Sequence, residues 1–420
     1  MATQTAAGSA PNSLMPIRRI SRLIIGACAA SLLLAATPAT THSISVTSAK
    51  LLATLQDPTG IAATSFGDSV SISGATALVG ANDVAYIYTK SARGWSTKPT
   101  VVLHDPGRGD FGRVAIAGSI IMIGAPGAST ATGYGAVYVY NKGASGWPTI
   151  PSATIICPDN CQQGFGSTIK LSGTTAVIGD GSGNSGDGSA YIYSESGGVW
   201  RLVATLLDPR ATFNDGFGDS VAFGGTTIVI GATYSPYNTG IGPGGGTVYI
   251  YSQKGGVWPT SPTVTLTDPV GPVLGSAVTD NFGYSVALSG STVAVGAVGG
   301  NGTNIQNGAV MLYTANRAGV WPTYPTTILG GPYAYSAFGY SVAMNTTMVF
   351  VGVPSLNGAV EVFTATNGVW PIYPAFTVGG PLTYGELGVS VRSDGSTFIA
   401  GAPGGNGGAG AVGHAYIYSV

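Results

Sequence analysis

One dipeptide constrains this chain more than any other feature. Phe-Gly recurs at Phe66-Gly67, Phe111-Gly112, Phe165-Gly166, Phe217-Gly218, Phe282-Gly283 and Phe338-Gly339, with Leu387-Gly388 as a seventh variant. Self-similarity at such a period marks a repeat architecture, in which each unit buries its apolar face only against its neighbours. After each marker comes an alternating segment such as Ser69-Val70-Ser71-Ile72, then a turn such as Ser73-Gly74-Ala75-Thr76. A short apolar run follows that ends in or near Gly-Ala, as in Leu78-Val79-Gly80-Ala81, Ile123-Gly124-Ala125-Pro126 and Ala400-Gly401-Ala402-Pro403. An aromatic segment comes next, for example Tyr86-Ile87-Tyr88, Tyr138-Val139-Tyr140 or Tyr416-Ile417-Tyr418. Period-two alternation bounded by Gly-rich turns reads as three antiparallel strands per unit.

All six Trp occupy one place in the unit, at Trp95, Trp147, Trp200, Trp258, Trp321 and Trp370. They are expected to open a fourth strand and to pack between units. Four continue as Trp-Pro-x-x-Pro, as in Trp258-Pro259-Thr260-Ser261-Pro262. Proline cannot donate to a ladder, which places this strand at the outer edge of its sheet. The chain stops at Tyr418-Ser419-Val420, so the last unit lacks its fourth strand, yet Leu51-Leu52-Ala53-Thr54-Leu55-Gln56-Asp57-Pro58 matches Leu202-Val203-Ala204-Thr205-Leu206-Leu207-Asp208-Pro209 at six of eight positions. The missing strand stands at the N-terminus. An open solenoid has no use for a split unit, whereas a ring closes by pairing its two ends in one sheet. The sequence therefore predicts an all-β, seven-bladed β-propeller of four-stranded antiparallel blades, closed by an N-terminal strand that completes the last blade. The small residues of the Gly-Ala strands are expected near the crowded axis.

Composition agrees with this class. With 67 Gly and 44 % hydrophobic residues but only 8 % charged ones, the chain is neither disordered nor a helical bundle. A net charge of −1 without a basic cluster gives no means of neutralising a phosphate backbone, so nucleic acid is not an expected partner. Residues 17–22, Ile-Arg-Arg-Ile-Ser-Arg, precede an apolar run from Leu23 to Ala36 and small residues ending at Ala39. That is the layout of a secretory signal peptide over residues 1–39, too short to span a bilayer and leaving the choice between Sec and twin-arginine export open. A single propeller is then expected over residues 44–420, secreted, monomeric and without a transmembrane span. In an oxidising compartment Cys157 and Cys161 are expected to form a local disulfide.

At Phe-Gly, Gly-Ala-Pro and Gly-x-Val-Tyr-x-Tyr the chain resembles FG-GAP repeat proteins, whose best-known members are the integrin α-subunit propellers. The resemblance covers about residues 50–420 and speaks to fold far more than to chemistry, since propellers host unrelated functions. Integrin-type repeats often hold calcium in an acidic loop between the first two strands. Here those links are short and neutral, such as Ser172-Gly173-Thr174-Thr175.

Loop lengths supply the functional expectation. Links between the first and second strands hardly vary, whereas links between the second and third run from Asn82-Asp83 to the insertion between Thr233 and Gly246, and the Asp-Pro to Phe-Gly links vary similarly. Both variable sets emerge on one face of the disc, the usual place for a binding surface. Tyr134, Tyr234, Tyr237, Tyr333, Tyr335 and Tyr384 lie there outside the strand pattern and are the expected ligand contacts, for a protein surface or for sugar rings. Asp180, Asn184 and Asp187 carry oxygens on a flexible loop that calcium would accept; no other cofactor is expected. Arg108-Gly109-Asp110 abuts a marker and is read as coincidence. His104 and His414 sit in no nucleophile or metal motif, so the chain is read as non-enzymatic. The expected role is a recognition or adhesion propeller for an extracellular protein or surface, and the alternative is a soluble lectin holding glycans in loop or inter-blade pockets.

Overall fold

The computed structural model describes residues 48–420 except 62–63, 108, 160, 162–163, 182–186, 211–214, 235–244, 270–279, 300–306, 332–335, 356–357, 382–384 and 405–411. Seven antiparallel sheets follow one another round a ring; in six the strands lie in chain order, and in the seventh the N-terminal strand stands beside the last. The first strands touch the first strands of the next blades all the way round, which makes them the innermost. They are Ser69–Ser73, Arg113–Ala117, Thr168–Ser172, Phe217–Gly224, Phe282–Ser289, Val342–Met344 and Ser390–Asp394. Tight hairpins lead to the second strands, with Gly74, Gly118, Gly173, Gly225, Gly290 and Gly395 at φ between 54° and 61°, a left-handed conformation that costs glycine little.

The ring closes as the repeat arithmetic requires. Lys50–Gln56 pairs antiparallel with His414–Ser419, with Leu51 opposite Tyr418, Thr54 opposite Tyr416 and Gln56 opposite His414. The N-terminal strand is thereby the outermost strand of the blade whose inner strands are Ser390–Asp394 and Thr397–Ala402. On the inner side, Ser390 Oγ donates to Gly67 O at 2.7 Å and Asp394 accepts from Gly74 N, which ties the seventh blade to the first.

Two local expectations need correction. The tryptophans mostly do not open the fourth strand. In blades 2, 4, 5 and 6 the Trp-Pro-x-x-Pro segment leaves the ladder, and the fourth strands begin only after the second proline, as Ala153–Ile156, Val264–Thr267, Thr327–Gly330 and Phe376–Gly379. Neither proline can donate, and pairing resumes with the first residue that can: Ser152 N, Thr263 N, Thr326 N and Ala375 N each donate to the third strand at 2.7 Å. Trp200 and Trp95, neither followed directly by proline, are the exceptions: Trp200 lies inside the continuous strand Val199–Leu207, and Trp95 ends the short strand Gly94–Trp95, opposite Lys90.

The second correction concerns the Gly-Ala glycines, which lie at the seams between blades rather than at the axis. A side chain at Gly80 would strike the backbone of Gly112, one at Gly124 that of Gly166, and the pattern continues as Gly179 on Gly218, Gly231 on Gly283, Gly296 on Gly339, Gly352 on Gly388 and Gly401 on Gly67. Each marker glycine is thus pressed against the second strand of the preceding blade. Six of these marker glycines have φ between 89° and 103°, so both sides of the seam demand glycine. Beside the seam, Ser220, Ser285, Ser341 and Ser390 donate to the carbonyls of Gly283, Gly339, Gly388 and Gly67 at 2.6 to 2.7 Å. The marker aromatics are fully buried, with Phe66, Phe111, Phe165, Phe217, Phe282 and Phe338 each against an aromatic of its own third strand at centroid distances of 5.4 to 6.4 Å. Such pairs add about 0.5–1.5 kcal/mol each beyond burial.

Candidate functional site

The two variable sets of loops do share a face. Asn82 N bonds Thr64 O, Gly127 N bonds Gly109 O, Tyr234 N bonds Asp215 O and Gly299 N bonds Asp280 O, so in blades 1, 2, 4 and 5 the link between second and third strands rests on the link that enters its own blade, while Tyr134 N bonds Cys161 O in the link that enters the next blade. The Asp of each Asp-Pro organises the entering loop. Asp57 accepts from Thr59 N at 2.8 Å and from the Thr64 hydroxyl, and Asp105 accepts from Gly107 N at 2.7 Å and from Gly109 N.

At the centre of this face the seven inner strands enclose a cavity of about 410 Å³. The residue after the marker sets its mouth: Asp68, Arg113, Ser167, Asp219, Tyr284, Tyr340 and Val389 all line it. Tyr234, from the longest insertion, lines it as well and is 53 % exposed. The Tyr284 and Tyr340 rings lie 5.0 Å apart, and burial, reinforced by a side-chain hydrogen bond with Tyr340, raises the Tyr284 pKa. Burial lifts Asp219 to about 6, and it raises Asp68 against the opposing pull of the Arg113 guanidinium. The mouth therefore presents three phenols and two weakened acids, a surface able to exchange hydrogen bonds with a polar ligand while covering its apolar parts.

The expected contacts divide. Tyr134 is 43 % exposed at the tip of the second blade's long hairpin, Ile120–Thr130 to Gly133–Asn141, and does not line the cavity. Tyr234 does; Tyr237, Tyr333, Tyr335 and Tyr384 lie outside the described residues. Beside Tyr134 the Cys157–Cys161 disulfide is formed, and Thr132 Oγ1 donates to Cys157 O at 2.5 Å, so this part of the face is pinned. Of the calcium candidates, Asp180 is buried at the end of Thr175–Asp180, Asp187 is half-buried and Asn184 lies outside the described residues. Among the described residues no three His, Cys, Asp or Glu side chains gather as a metal site.

Sequence reading passed over Tyr284 and Tyr340, although the signal was present: the residue after the marker is Asp, Arg, Ser, Asp and Val in the other five units and Tyr in these two. It also passed over the outer rim. The proline excursions expose Tyr324 and Tyr373 by 73 % and 75 %, while Trp147, Trp258, Trp321 and Trp370 are buried between blades as expected.

The FG-GAP repeat family matches residues 200–251 and 275–313, which contain most of the fourth blade and much of the fifth. These two stretches carry FG-GAP repeats. Their FG-GAP strands build an architecture consistent with an integrin α-like propeller. No curated protein matches the chain. A chain in a solved structure titled "Crystal Structure of Mitotic Checkpoint Complex" is similar over 88 % of this chain and 95 % of its own, with a TM-score of 0.57 and 13 % identity, a likeness of fold alone. No described helix is long and apolar enough to cross a membrane.

Proposed function

We propose that this FG-GAP propeller is a secreted, non-enzymatic recognition module that binds an extracellular protein or surface ligand through its loop face. One observation carries the reading. The seven blades repeat their buried markers and seam glycines almost without change, while the loops of one face differ and converge on a mouth lined by Tyr234, Tyr284, Tyr340, Asp68 and Asp219. Repetition holds the scaffold rigid, and variation on one side of it is how such scaffolds acquire specificity. The disulfide and the signal-like N-terminal sequence support an extracellular setting. Replacing Tyr234 and Tyr340 together by Ser should weaken adherence to the natural surface while leaving the thermal transition within a few degrees of wild type. Unchanged adherence by the folded variant removes this face from consideration.

A lectin is the second reading. An inter-blade pocket of about 180 Å³ between the first two blades is lined by Ser65, Asp68, Asn82, Asp110 and Arg113, a polar set suited to sugar hydroxyls. A glycan array separates the two: silence at high protein concentration sinks the lectin, and binding to one protein partner favours recognition of protein.

A further inference from the structure

Below the mouth, one register position of the inner strands is unlike its neighbours. Ser71, Ala115, Ala222, Ala287 and Ala343 pair with the second-strand residue two before the seam glycine, and the same position in blades 3 and 7 is held by Lys170 and Arg392. Both cations line the axial cavity. Two blades separate them round the ring in one direction and three in the other, so they approach from opposite sides of the channel.

Among the described residues neither makes an ion pair; Arg392 Nη1 donates only to Val391 O at 2.9 Å. The acids of the cavity do not reach this level. Asp68 and Asp219 stand three residues nearer the mouth on their own strands, about 10 Å along a strand. Asp68 is also opposed there by Arg113, and the remaining titratable groups facing the cavity, Tyr234, Tyr284 and Tyr340, are at the mouth too. Burial weakens both cations, and each is a like charge beside the other for Lys170, whose pKa falls well below its ordinary value. An arginine cannot shed its proton in a protein, so this level of the channel keeps positive charge at any working pH. Both side chains are half-buried and face the cavity, where a charge without a partner is costly to hold.

We propose that the axial cavity is an anion site, in which a small oxyanion of phosphate or carboxylate chemistry is held between the Lys170 ammonium and the Arg392 guanidinium. The planar guanidinium offers two parallel donors to such a group and the ammonium offers a point charge. An anion held there joins blades on opposite sides of the ring and stabilises the closed form by mass action. Entry is from the loop face, past Tyr234, Tyr284 and Tyr340.

Isothermal titration calorimetry of the purified protein with sodium phosphate and, separately, sodium citrate, at ionic strength held constant with sodium chloride, tests the site. Saturable one-to-one binding is expected for at least one of them, with phosphate alone or citrate alone identifying which oxyanion chemistry fits. Lys170→Met and Arg392→Met should each weaken it at least about tenfold, while the exposed control Lys254→Met leaves it unchanged. Binding that survives both cavity substitutions, or no saturable heat up to about 10 mM of either anion, overturns the proposal. Should the cavity variants fail to fold, wild-type protein decides: the favoured anion must raise the melting temperature more than sodium chloride of equal ionic strength, and equal shifts overturn the site.

Discussion

Two glycines of the seventh blade separate the two reasons this chain uses glycine so heavily. Gly401 sits in the strand Thr397–Ala402 with a backbone that alanine can adopt, but a Cβ there would lie 2.8 Å from the Gly67 carbonyl carbon, closer still to its oxygen, and 2.6 Å from Ser390 Oγ. Ordinary contacts begin near 3.4 Å, so the seam between the last blade and the first must open by more than half an ångström along its length. Overpacking of that kind costs about 1–3 kcal/mol. The same shift strains the Ser390 Oγ to Gly67 O bond, adding about 1 kcal/mol. Gly395 is the converse, with φ at +61° and nothing within 4 Å of an added Cβ. Alanine there meets only the left-handed backbone penalty, about 1 kcal/mol. Urea denaturation of Gly401→Ala and Gly395→Ala should show losses of about 2–4 and about 1 kcal/mol, with unchanged slopes. If Gly395→Ala proves as costly as Gly401→Ala, close packing at the seams is not what selects glycine, and the description of the ring by its seams fails.

Acid should stabilise the fold. Burial raises Asp215, Asp280 and Glu361 to about 7, with Asp208 and Asp268 adding to the first two, and burial alone raises Asp219 to about 6. Their folded pKa values stand above the unfolded ones, so their contribution is full below about pH 4 and is lost as pH rises through 6 to 7. The melting temperature at pH 5 should exceed that at pH 8 by several degrees, and Asp280→Asn should shrink the difference; a maximum at pH 8 contradicts the reading. Replacing Cys157 and Cys161 by Ala removes a link closing a five-residue loop, worth about 2 kcal/mol in the chain-entropy account. A loss under about 0.5 kcal/mol by urea denaturation would show that the loop is already held by Thr132 and Tyr134.

The ring was legible because its evidence is arithmetic: seven markers, six tryptophans and a Leu51 to Pro58 copy of the Leu202 to Pro209 segment leave one strand to be supplied from the other end. The proline excursions were not, because Trp-Pro-x-x-Pro reveals which residues cannot donate but not whether the strand continues past them. Glycine in a strand announces a close approach without naming the neighbour, so the sequence points to the axis while the structure sets Gly80 against Gly112 and Gly401 against Gly67 at the seams. Half of the site has the same history. Tyr234 was found by standing outside the strand pattern, but Tyr284, Tyr340, Lys170 and Arg392 lie inside strands or at their start, where alternation makes any side chain look structural. Their meaning depends on comparing equivalent columns of seven blades, which needs the ladder register.

Ring closure by the N-terminal strand underlies every one of these readings, and one covalent test addresses it. Lys50 and Ser419 are register partners across the closing ladder, and facing Cα atoms in an antiparallel pair fall within the separation a disulfide spans. The double variant Lys50→Cys, Ser419→Cys, oxidised in air and digested without reduction, should yield a peptide joining the two ends within one chain, with a raised denaturation midpoint. Free thiols at both positions, or a link found only between chains, would contradict closure and leave an open array of blades in its place.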